Sequence, residues 1–354
     1  MKNKGTTIYD LAMHLGVSAT TVSRALNNQG RISQKIRDKV KLAASDLNYK
    51  PSLVARSLIK QKTNTLGVIV PMIGNTAFSK IVRGVEEVAY EQGYNIILCN
   101  SGLDSEREYS NLEMLSQRQV EGIAIVPFCS RTHKNTCLLE EIQDSGIKVV
   151  IMEQDIEVPQ FNRVVAANRD DACKLVKYLI NCGYSRIGLA HLGLAEWNIS
   201  EKERAKGYMQ ALEQAGIEYD SNLVIQAGNT SIAEEESIYL DKLKGFFRSS
   251  NHIEAVFATS DMLAIKIIYL LNQLGIKVPD DVAVVGFDGI LLSEYLTVPL
   301  STVKQPAMQI GKRSAEILFD NIKNSKQNFK PVHECIHGEL SINGLTHNKA
   351  LQKF

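Results

Sequence analysis

The pattern of apolar and polar positions divides the chain into a short helical start and a long body in which strands and helices alternate. Apolar residues recur every three to four positions over residues 6–26, and this spacing predicts two short helices. Thr7 and Asp10 fit a capping box at the start of the first helix. Gly16 permits a tight turn, and Ser18 is placed to cap the second helix. The pattern therefore predicts a helix-turn-helix.

The outer face of the second helix separates this prediction from an ordinary helical hairpin, which would need no particular outer face. Val22, Ala25 and Leu26 point inward at helical spacing. The outward positions carry small or polar residues and one arginine, a set that can approach DNA closely and contact base edges or phosphates. These outward residues are Ala19, Thr20, Thr21, Ser23 and Arg24.

Two further segments follow in the first sixty residues. Ser33 is placed to cap a third helix over residues 34–47, whose apolar positions can close a small three-helix core. Residues 52–60 are apolar enough to form a helix but too short to be stable as an isolated one. From the residues alone, the preferred interpretation of this segment is a linker with some helical tendency.

From residue 65 onward, short runs of Val, Ile and Leu alternate with amphipathic stretches. Continuous apolar runs between helices are typical of parallel strands that are buried on both faces. The alternation of apolar runs and amphipathic stretches begins again after residue 170, so we expect an α/β fold with two doubly wound lobes. Ligands bind open parallel sheets beyond the carboxyl ends of the strands, which would place a site between the two lobes.

The chain resembles the LacI/GalR family of bacterial repressors through the stretches IYDLA, GVSATTVSRALN and LNYKPSLVARSL. The resemblance implies a homodimer that binds a palindromic DNA operator. It also implies that residues 52–60 become helical on the operator, where Leu58 would wedge open a base step and Val54 and Ala55 would let two hinge helices touch. The implied DNA contacts are Thr7, Ser18, Ala19, Thr20, Thr21, Ser23, Arg24, Asn27, Val54, Ala55 and Leu58.

The resemblance also divides the chain into domains. It implies a helix-turn-helix domain over residues 1–50, a hinge over residues 51–63 and an effector-binding and dimerisation domain over residues 64–354. That last domain would have two lobes with doubly wound parallel sheets, similar to a periplasmic binding protein. Three crossings between the lobes are implied, near residues 165, 292 and 328. The first lobe would comprise 64–165 and 292–327, and the second 166–291 and 328–345.

Three residues, Phe78, Arg204 and Asp288, match positions at which this family contacts its effector. Ser260 stands where several members place a polar contact, and Asn198 and Ser200 are candidates because they lie on the same loop as Arg204. An arginine and an aspartate that face one another could hold vicinal hydroxyls, and an apolar wall could cover a sugar ring. For the arginine and the aspartate, the alternative is an ordinary surface ion pair. Asn229 stands where some relatives have an aromatic residue, and the lone Trp197 could substitute for it. The six implied contacts are Phe78, Asn198, Ser200, Arg204, Ser260 and Asp288.

Charge is distributed unevenly along the chain. The 354 residues have a net charge of only +1, yet residues 1–62 carry twelve Lys or Arg against three Asp. A basic head on an acidic body suits a module that binds phosphates. Six scattered cysteines without CxxC spacing, no export signal and no apolar run of about 18 residues favour a cytoplasmic protein associated with the nucleoid.

One motif points to different chemistry. His333 and His337 satisfy the HExxH pattern of zinc proteases. That chemistry needs a helix, whereas the alternation around these residues predicts a strand, on which the two imidazoles would lie roughly 13 Å apart. No nucleotide or hydrolase fingerprint appears, so we expect no enzyme activity, metal or cofactor.

The function that the sequence predicts is a transcriptional regulator, with repression the expected action, controlled by a sugar or another small metabolite. A periplasmic sugar-binding protein would share the two lobes, but it would need a signal peptide and no basic head. A hydrolase would need the HExxH segment to be helical. The tail after residue 345 is short and has no heptad repeat, which predicts a dimer rather than a tetramer.

Overall fold

The computed structural model describes residues 6–49, 62–128, 133–156, 158–192, 199–226, 243–247, 253–324, 330–344 and 346. The chain divides into two compact units, Met1–Thr63 and Asn64–Phe354. No helix in the described ranges combines the length and apolar character needed to cross a membrane.

The described part of the first unit, residues 6–49, contains three helices: α1 (Ile8–Leu15), α2 (Ala19–Leu26) and α3 (Gln34–Asp46). Each begins at a side-chain cap, namely Thr7, Ser18 and Ser33, so the three predicted caps are confirmed. The helices close around a small apolar core made of Leu11, Ala12, Val22, Ala25, Val40 and Ala43.

Among its described residues, the second unit has two parallel sheets, and the first has six strands in the order β11-β5-β4-β3-β1-β2. These strands are β1 (Thr65–Val70), β2 (Asn95–Asn100), β3 (Gly122–Ile125), β4 (Lys148–Glu153), β5 (Asn162–Ala166) and β11 (His333–Ile336). The helices are α4 (Thr76–Glu91), α5 (Ser105–Gln117), α6 (His133–Asp144) and α10 (Ala307–Lys323). Apolar clusters lie on both faces, with α4 and α10 on one and α5 and α6 on the other.

The second sheet has four parallel strands in the order β7-β6-β8-β9. They are β6 (Ile187–His191), β7 (Val224–Gln226), β8 (Ala255–Ala258) and β9 (Ala283–Val285). α7 (Asn168–Asn181) and α8 (Ile199–Gln214) cover one face, and α9 (Asp261–Gln273) covers the other. An antiparallel pair joins β10 (Thr302–Lys304) to β12 (Glu339–Ser341), and parallel bridges link this segment to the end of β9 and the loop after it. The predicted α/β fold with two sheets covered on both faces is confirmed.

Close packing of α7 and α8 depends on Gly207. A Cβ atom at this position would lie 2.2 Å from the backbone oxygen of Arg169 and 2.8 Å from the side chain of Ala172. Only glycine fits between two helix backbones at this separation. The contact places the N-terminal half of α8 beside the start of α7, where the polar residues described below meet.

Two predicted boundaries are wrong. The second crossing was expected near residue 292. However, Leu300 and Val303 pack in the apolar clusters of the second sheet, and Lys304 forms a parallel bridge with Asp288. The chain therefore leaves the second lobe only after residue 304.

The third crossing was expected near residue 328, with residues 328–345 in the second lobe. Instead β11 pairs in parallel with β5 and extends the edge of the first sheet. The chain leaves that sheet only after Ile336, whose backbone oxygen accepts a hydrogen bond of 3.0 Å from the N–H of Ala167. The boundary is displaced because the pairing partner of a strand is set by tertiary contacts that the local pattern does not contain.

Candidate functional site

In the first unit, the turn and the caps orient α2. Gly16 has a φ of 64°, the left-handed conformation that the sharp turn between α1 and α2 requires. The hydroxyl of Ser18 accepts a hydrogen bond of 3.1 Å from the N–H of Thr21. Val22 and Ala25 are buried against the other helices. One face of α2 is therefore fixed to the core, and the opposite face is presented outward.

The residues predicted to contact DNA divide by exposure. Thr7, Ser18, Thr20 and Arg24 are exposed, whereas Ala19, Thr21, Ser23 and Asn27 are half-buried. The Asn27 side chain donates to the Ser23 backbone oxygen at 2.8 Å, and the hydroxyls of Thr21 and Ser18 are 2.9 Å apart. Thr20 and Arg24 thus have the most accessible side chains on α2 itself. Val54, Ala55 and Leu58 lie outside the described residues.

In the second unit, Arg204 on α8 occupies the centre of a buried polar cluster. Its Nη1 lies 3.1 Å from Oδ1 of Asp288 and donates to the backbone oxygen of Thr259 at 2.6 Å. Its Nε donates to Oδ1 of Asn168 at 2.9 Å. The guanidinium also stacks over the Phe287 ring, 4.1 Å from the ring centre. Only 6% of the Arg204 side chain is exposed, so its pair with Asp288 is buried. The alternative interpretation of the sequence, an ordinary surface ion pair, is therefore wrong.

Asp288 is held from the other side. Its backbone φ of 118° is unusual for a residue other than glycine, and such conformations are concentrated at functional sites. The Gln305 side chain donates to Oδ1 of Asp288 at 2.8 Å. Burial raises the pKa of the Asp288 carboxyl, and the nearby Arg204 guanidinium opposes that rise.

The loop that carries Asp288 is fixed by Asp261. The Asp261 carboxylate accepts the N–H of Ile290 at 2.8 Å and the hydroxyl of Thr302 at 2.5 Å. Its own N–H donates to the backbone oxygen of Phe287 at 2.6 Å. Burial, followed by the charge of Asp288, raises the pKa of Asp261 to about 7.

The first lobe contributes Glu153, which the sequence reading missed. It ends β4 with a φ of 66° and is 4% exposed. Its Oε1 accepts a hydrogen bond of 2.7 Å from the hydroxyl of Ser200 on α8, so residues of the two lobes are in direct contact. Burial raises the pKa of Glu153, while the charge of Arg204 acts in the opposite direction.

A third carboxyl, that of Glu201, was also missed. It is 4% exposed and accepts hydrogen bonds from the Thr259 hydroxyl and, at 3.2 Å, from the N–H of Leu192. Burial raises its pKa, and Arg204 again lowers it. We call Glu153, Ser200, Glu201, Arg204 and Asp288 the interlobe polar cluster.

The structure does not place the other predicted effector contacts in the interlobe polar cluster. Phe78 is half-buried on α4 and packs against the core of the first lobe. Ser260 caps α9, and its hydroxyl accepts a hydrogen bond of 3.3 Å from the N–H of Leu263. Asn198 lies outside the described residues, as do Trp197 and Asn229. The structure therefore brings together Ser200, Arg204 and Asp288 from the predicted set.

The HExxH segment is a strand, as predicted, and its two histidines have separate partners. His333 lies in β11, where its Nε2 is 3.1 Å from the backbone oxygen of Pro159. The Nδ1 of His337 is 3.0 Å from Oδ1 of Asp171. Within the part of the chain that the structure describes, no group of three or more His, Cys, Asp or Glu residues could hold a metal ion.

Comparison with known proteins agrees with this arrangement. The profile of bacterial regulatory proteins of the lacI family matches residues 7–52, and that of the periplasmic binding protein-like domain matches residues 176–341. The chain is 35% identical to the HTH-type transcriptional repressor PurR of Vibrio atlanticus (strain LGP32) over 342 residues, which cover 94% of this chain and 96% of the relative. It belongs to the lacI family.

Other lacI family proteins extend the comparison. The HTH-type transcriptional regulator DegA of Bacillus subtilis (strain 168) is 35% identical over 308 residues, or 86% of this chain and 88% of DegA. Among solved structures, the lac repressor dimer bound to operator and an anti-inducer has a TM-score of 0.83 at 22% identity, covering 97% of this chain and 100% of that one. The chain is thus a DNA-binding transcriptional regulator rather than an enzyme.

Proposed function

We propose that this protein is a repressor that binds a palindromic operator as a homodimer and that a small molecule bound at the interlobe polar cluster controls this binding. The single observation that carries the proposal is the buried pair of Arg204 and Asp288, which joins the second-lobe helix α8 to a strained loop. A buried ion pair of this kind is costly to desolvate, which favours a functional role over a purely structural one. Relatives named as repressors support the direction of control.

The chemistry of the cluster suits a ligand rich in hydroxyl or amino groups. Carboxylates accept hydrogen bonds and the guanidinium donates them, so neighbouring polar groups of a small molecule could be held from both sides. Related structures carry the names of complexes with cellobiose and with ribose, which agrees with ligands of this size and polarity. We assign the contacts to Ser200, Arg204 and Asp288, with Phe78, Asn198 and Ser260 as further candidates.

Control would arise from movement between the lobes. Hydrogen bonds join the two lobes. The Ser200 hydroxyl donates to Glu153, and Nζ of Lys80 donates to the backbone oxygen of Gly289 at 3.2 Å. A ligand that binds one arrangement of the lobes more tightly than the other shifts the population toward it. The coupling to DNA is reciprocal, so operator would change the affinity for the ligand by the same factor.

On the DNA side, we assign base contacts to Thr20 and Arg24 on α2, because these are accessible polar side chains at the start and end of the outward face. Each good base contact is worth about 1–3 kcal/mol of discrimination. The hinge residues Val54, Ala55 and Leu58 would contact the minor groove between two half-sites, where an inserted apolar side chain bends the duplex.

The homodimer has a candidate face on the second lobe. Large apolar side chains are exposed on α9 and on the short helical turn Leu291–Glu294 that follows the Asp288 loop. Exposed apolar patches mark interaction surfaces, so we assign the dimer contact to these side chains. They are Met262 (47% exposed), Tyr269 (58%), Leu291 (60%), Leu292 (50%) and Tyr295 (75%). In this proposal the protein acts in the cytoplasm on nucleoid DNA.

The test uses the full-length protein bound to its operator. Small metabolites are titrated against the complex, and release or tightening is followed by fluorescence anisotropy of the labelled DNA. Asp288→Asn should bind operator normally but no longer respond to the effector. The amide does not neutralise the charge of Arg204, and one of the two acceptor oxygens is replaced by an NH2 group. Asp144→Asn, at an exposed position at the end of α6, is the matched control. A full response in Asp288→Asn would place the effector elsewhere.

A further inference from the structure

The interlobe polar cluster has more acidic than basic groups. Among the described residues, the carboxyls of Glu153, Glu201 and Asp288 surround the single buried guanidinium of Arg204. The charges of Arg204 and Asp288 both act on Glu153 and on Glu201, so the four groups form one electrostatic unit. Lys80 is exposed, and its charge acts on Asp288. The cluster therefore has three potential negative charges against one buried positive charge.

Two acceptor oxygens at this cluster have no hydrogen-bond partner in the described structure. One is Oε2 of Glu153, a residue that is 4% exposed and whose other oxygen is bound by Ser200. Asn168 comes close enough to lower the pKa of Glu153 but not into normal hydrogen-bond geometry. The second is Oε1 of Gln305, whose amide nitrogen donates to Asp288. A buried acceptor without a donor is unfavourable, so each oxygen points to a ligand that donates.

We propose that the effector is a small polyhydroxylated metabolite with a protonated amino group, of the amino-sugar class, and that this amine binds Oε2 of Glu153. The inference rests on the proposed function, because it names the ligand of the same site. Hydroxyl groups of the ligand would donate to Gln305 and Asp288 and accept from Arg204. The amine would supply the positive charge that Arg204 alone does not provide.

The other ligand classes suit the cluster less well. A phosphorylated or carboxylated sugar would add negative charge to three buried carboxyls, and like charges brought together in a buried site repel strongly. A neutral sugar could fill the hydrogen bonds but would leave the excess carboxyls without a counter-charge. A buried carboxyl must either be paired with a positive charge or take up a proton, and a cationic ligand is the class that pairs it.

The experiment compares matched sets of sugars with the full-length protein. Glucose, glucosamine and glucose 6-phosphate form one set, and the galactose and mannose series form two more. Thermal shift identifies binders, and calorimetry gives their affinities. At least one amino sugar should bind about tenfold to a hundredfold more tightly than its neutral parent, the range expected for one charge-assisted hydrogen bond. The phosphorylated member of that set should not bind.

Glu153→Gln removes the negative charge of this side chain and nearly keeps its shape. This variant should weaken amino-sugar binding about tenfold to a hundredfold and leave the neutral parent nearly unchanged, so the preference disappears. Glu201→Gln should reduce the same preference, and Glu141→Gln, at an exposed position on α6, should not. The inference is overturned if no amino sugar binds, if a neutral or phosphorylated sugar binds more tightly than its amino counterpart, or if Glu153→Gln keeps the preference.

Operator binding distinguishes this inference from the proposed function. A neutral or phosphorylated sugar that binds and changes operator affinity would overturn the amino-sugar class and leave the proposed control intact. An amino sugar that binds with the expected preference but leaves operator affinity unchanged would support the class and contradict the proposed control.

Discussion

Replacing Arg204 with alanine removes the one buried positive charge from the interlobe polar cluster. The side chain pairs with Asp288 at 3.1 Å, donates to Asn168 and Thr259, and stacks over Phe287. Removing one partner of a buried ion pair typically costs about 3–5 kcal/mol, because the remaining charge is left without compensation. We expect a loss of this size in the free energy of unfolding at pH 8.

The free energy of unfolding lost in Arg204→Ala should be smaller at low pH than at high pH. Without the guanidinium, the pKa values of Asp288, Glu153 and Glu201 rise further, since burial already raises them and Arg204 opposes that rise. Protonation at lower pH then neutralises the carboxyls and removes most of the penalty. The destabilisation by Arg204→Ala should therefore be smaller at pH 5.5 than at pH 8.

Urea unfolding of the full-length protein, followed by circular dichroism at both pH values, measures this difference. The matched control is Arg83→Ala, because Arg83 pairs with Glu87 at a similar distance of 3.1 Å but its side chain is 71% exposed. Exposed pairs of this kind contribute about 0–1 kcal/mol. If Arg204→Ala costs no more than Arg83→Ala at either pH, the buried pair is not the organising contact of the site.

Four other substitutions test the DNA contacts, the hinge, the Asp288 loop and the dimer face. Arg24→Ala should lower the ratio of operator to random-DNA affinity, whereas an equal fall in both affinities would make Arg24 a phosphate contact. Leu58→Ala should weaken operator binding roughly tenfold to a hundredfold and reduce the DNA bend, with random-DNA binding unchanged. Burial raises the pKa of Asp261 from 3.8 to about 7. Its contribution to folding stability is therefore present below about pH 4 and is lost as the pH rises through about 7. Asp261→Asn should flatten this part of the curve of Tm against pH. Tyr295→Asp should shift sedimentation toward monomer, and an unchanged dimer would exclude this face.

Local structure was predictable because it depends on residues a few positions apart. Thr7 and Asp10 form the predicted capping box, with the Thr7 N–H donating to the Asp10 carboxylate at 2.8 Å. Ser18 and Ser33 cap their helices through the side-chain hydroxyl alone, which accepts the N–H of Thr21 and of Ile36 respectively. The strand at His333–Ile336 also followed from its alternation. The sheet that this strand joins did not, because pairing with β5 is a contact between residues about 170 positions apart.

The polar cluster was only partly predictable. Arg204 and Asp288 were found through their resemblance to a family, but Glu153 and Glu201 were missed because one sequence does not show which carboxyls are buried. A signal was present, since Glu153 directly ends the apolar run KVVIM, and a charge at the end of a buried strand points to a site. Ser260 also has a structural role, because its hydroxyl caps α9, as a serine directly before a helix commonly does.

The central claim is that this protein binds a specific, two-fold symmetric DNA sequence through α2. Enrichment of a random DNA pool on the full-length protein, followed by sequencing, tests it most directly. We expect an inverted repeat whose half-sites are set by residues such as Thr20 and Arg24, so Arg24→Ala should relax or abolish the enrichment. A pool without any enriched sequence, or a single half-site without a symmetric partner, would contradict the account.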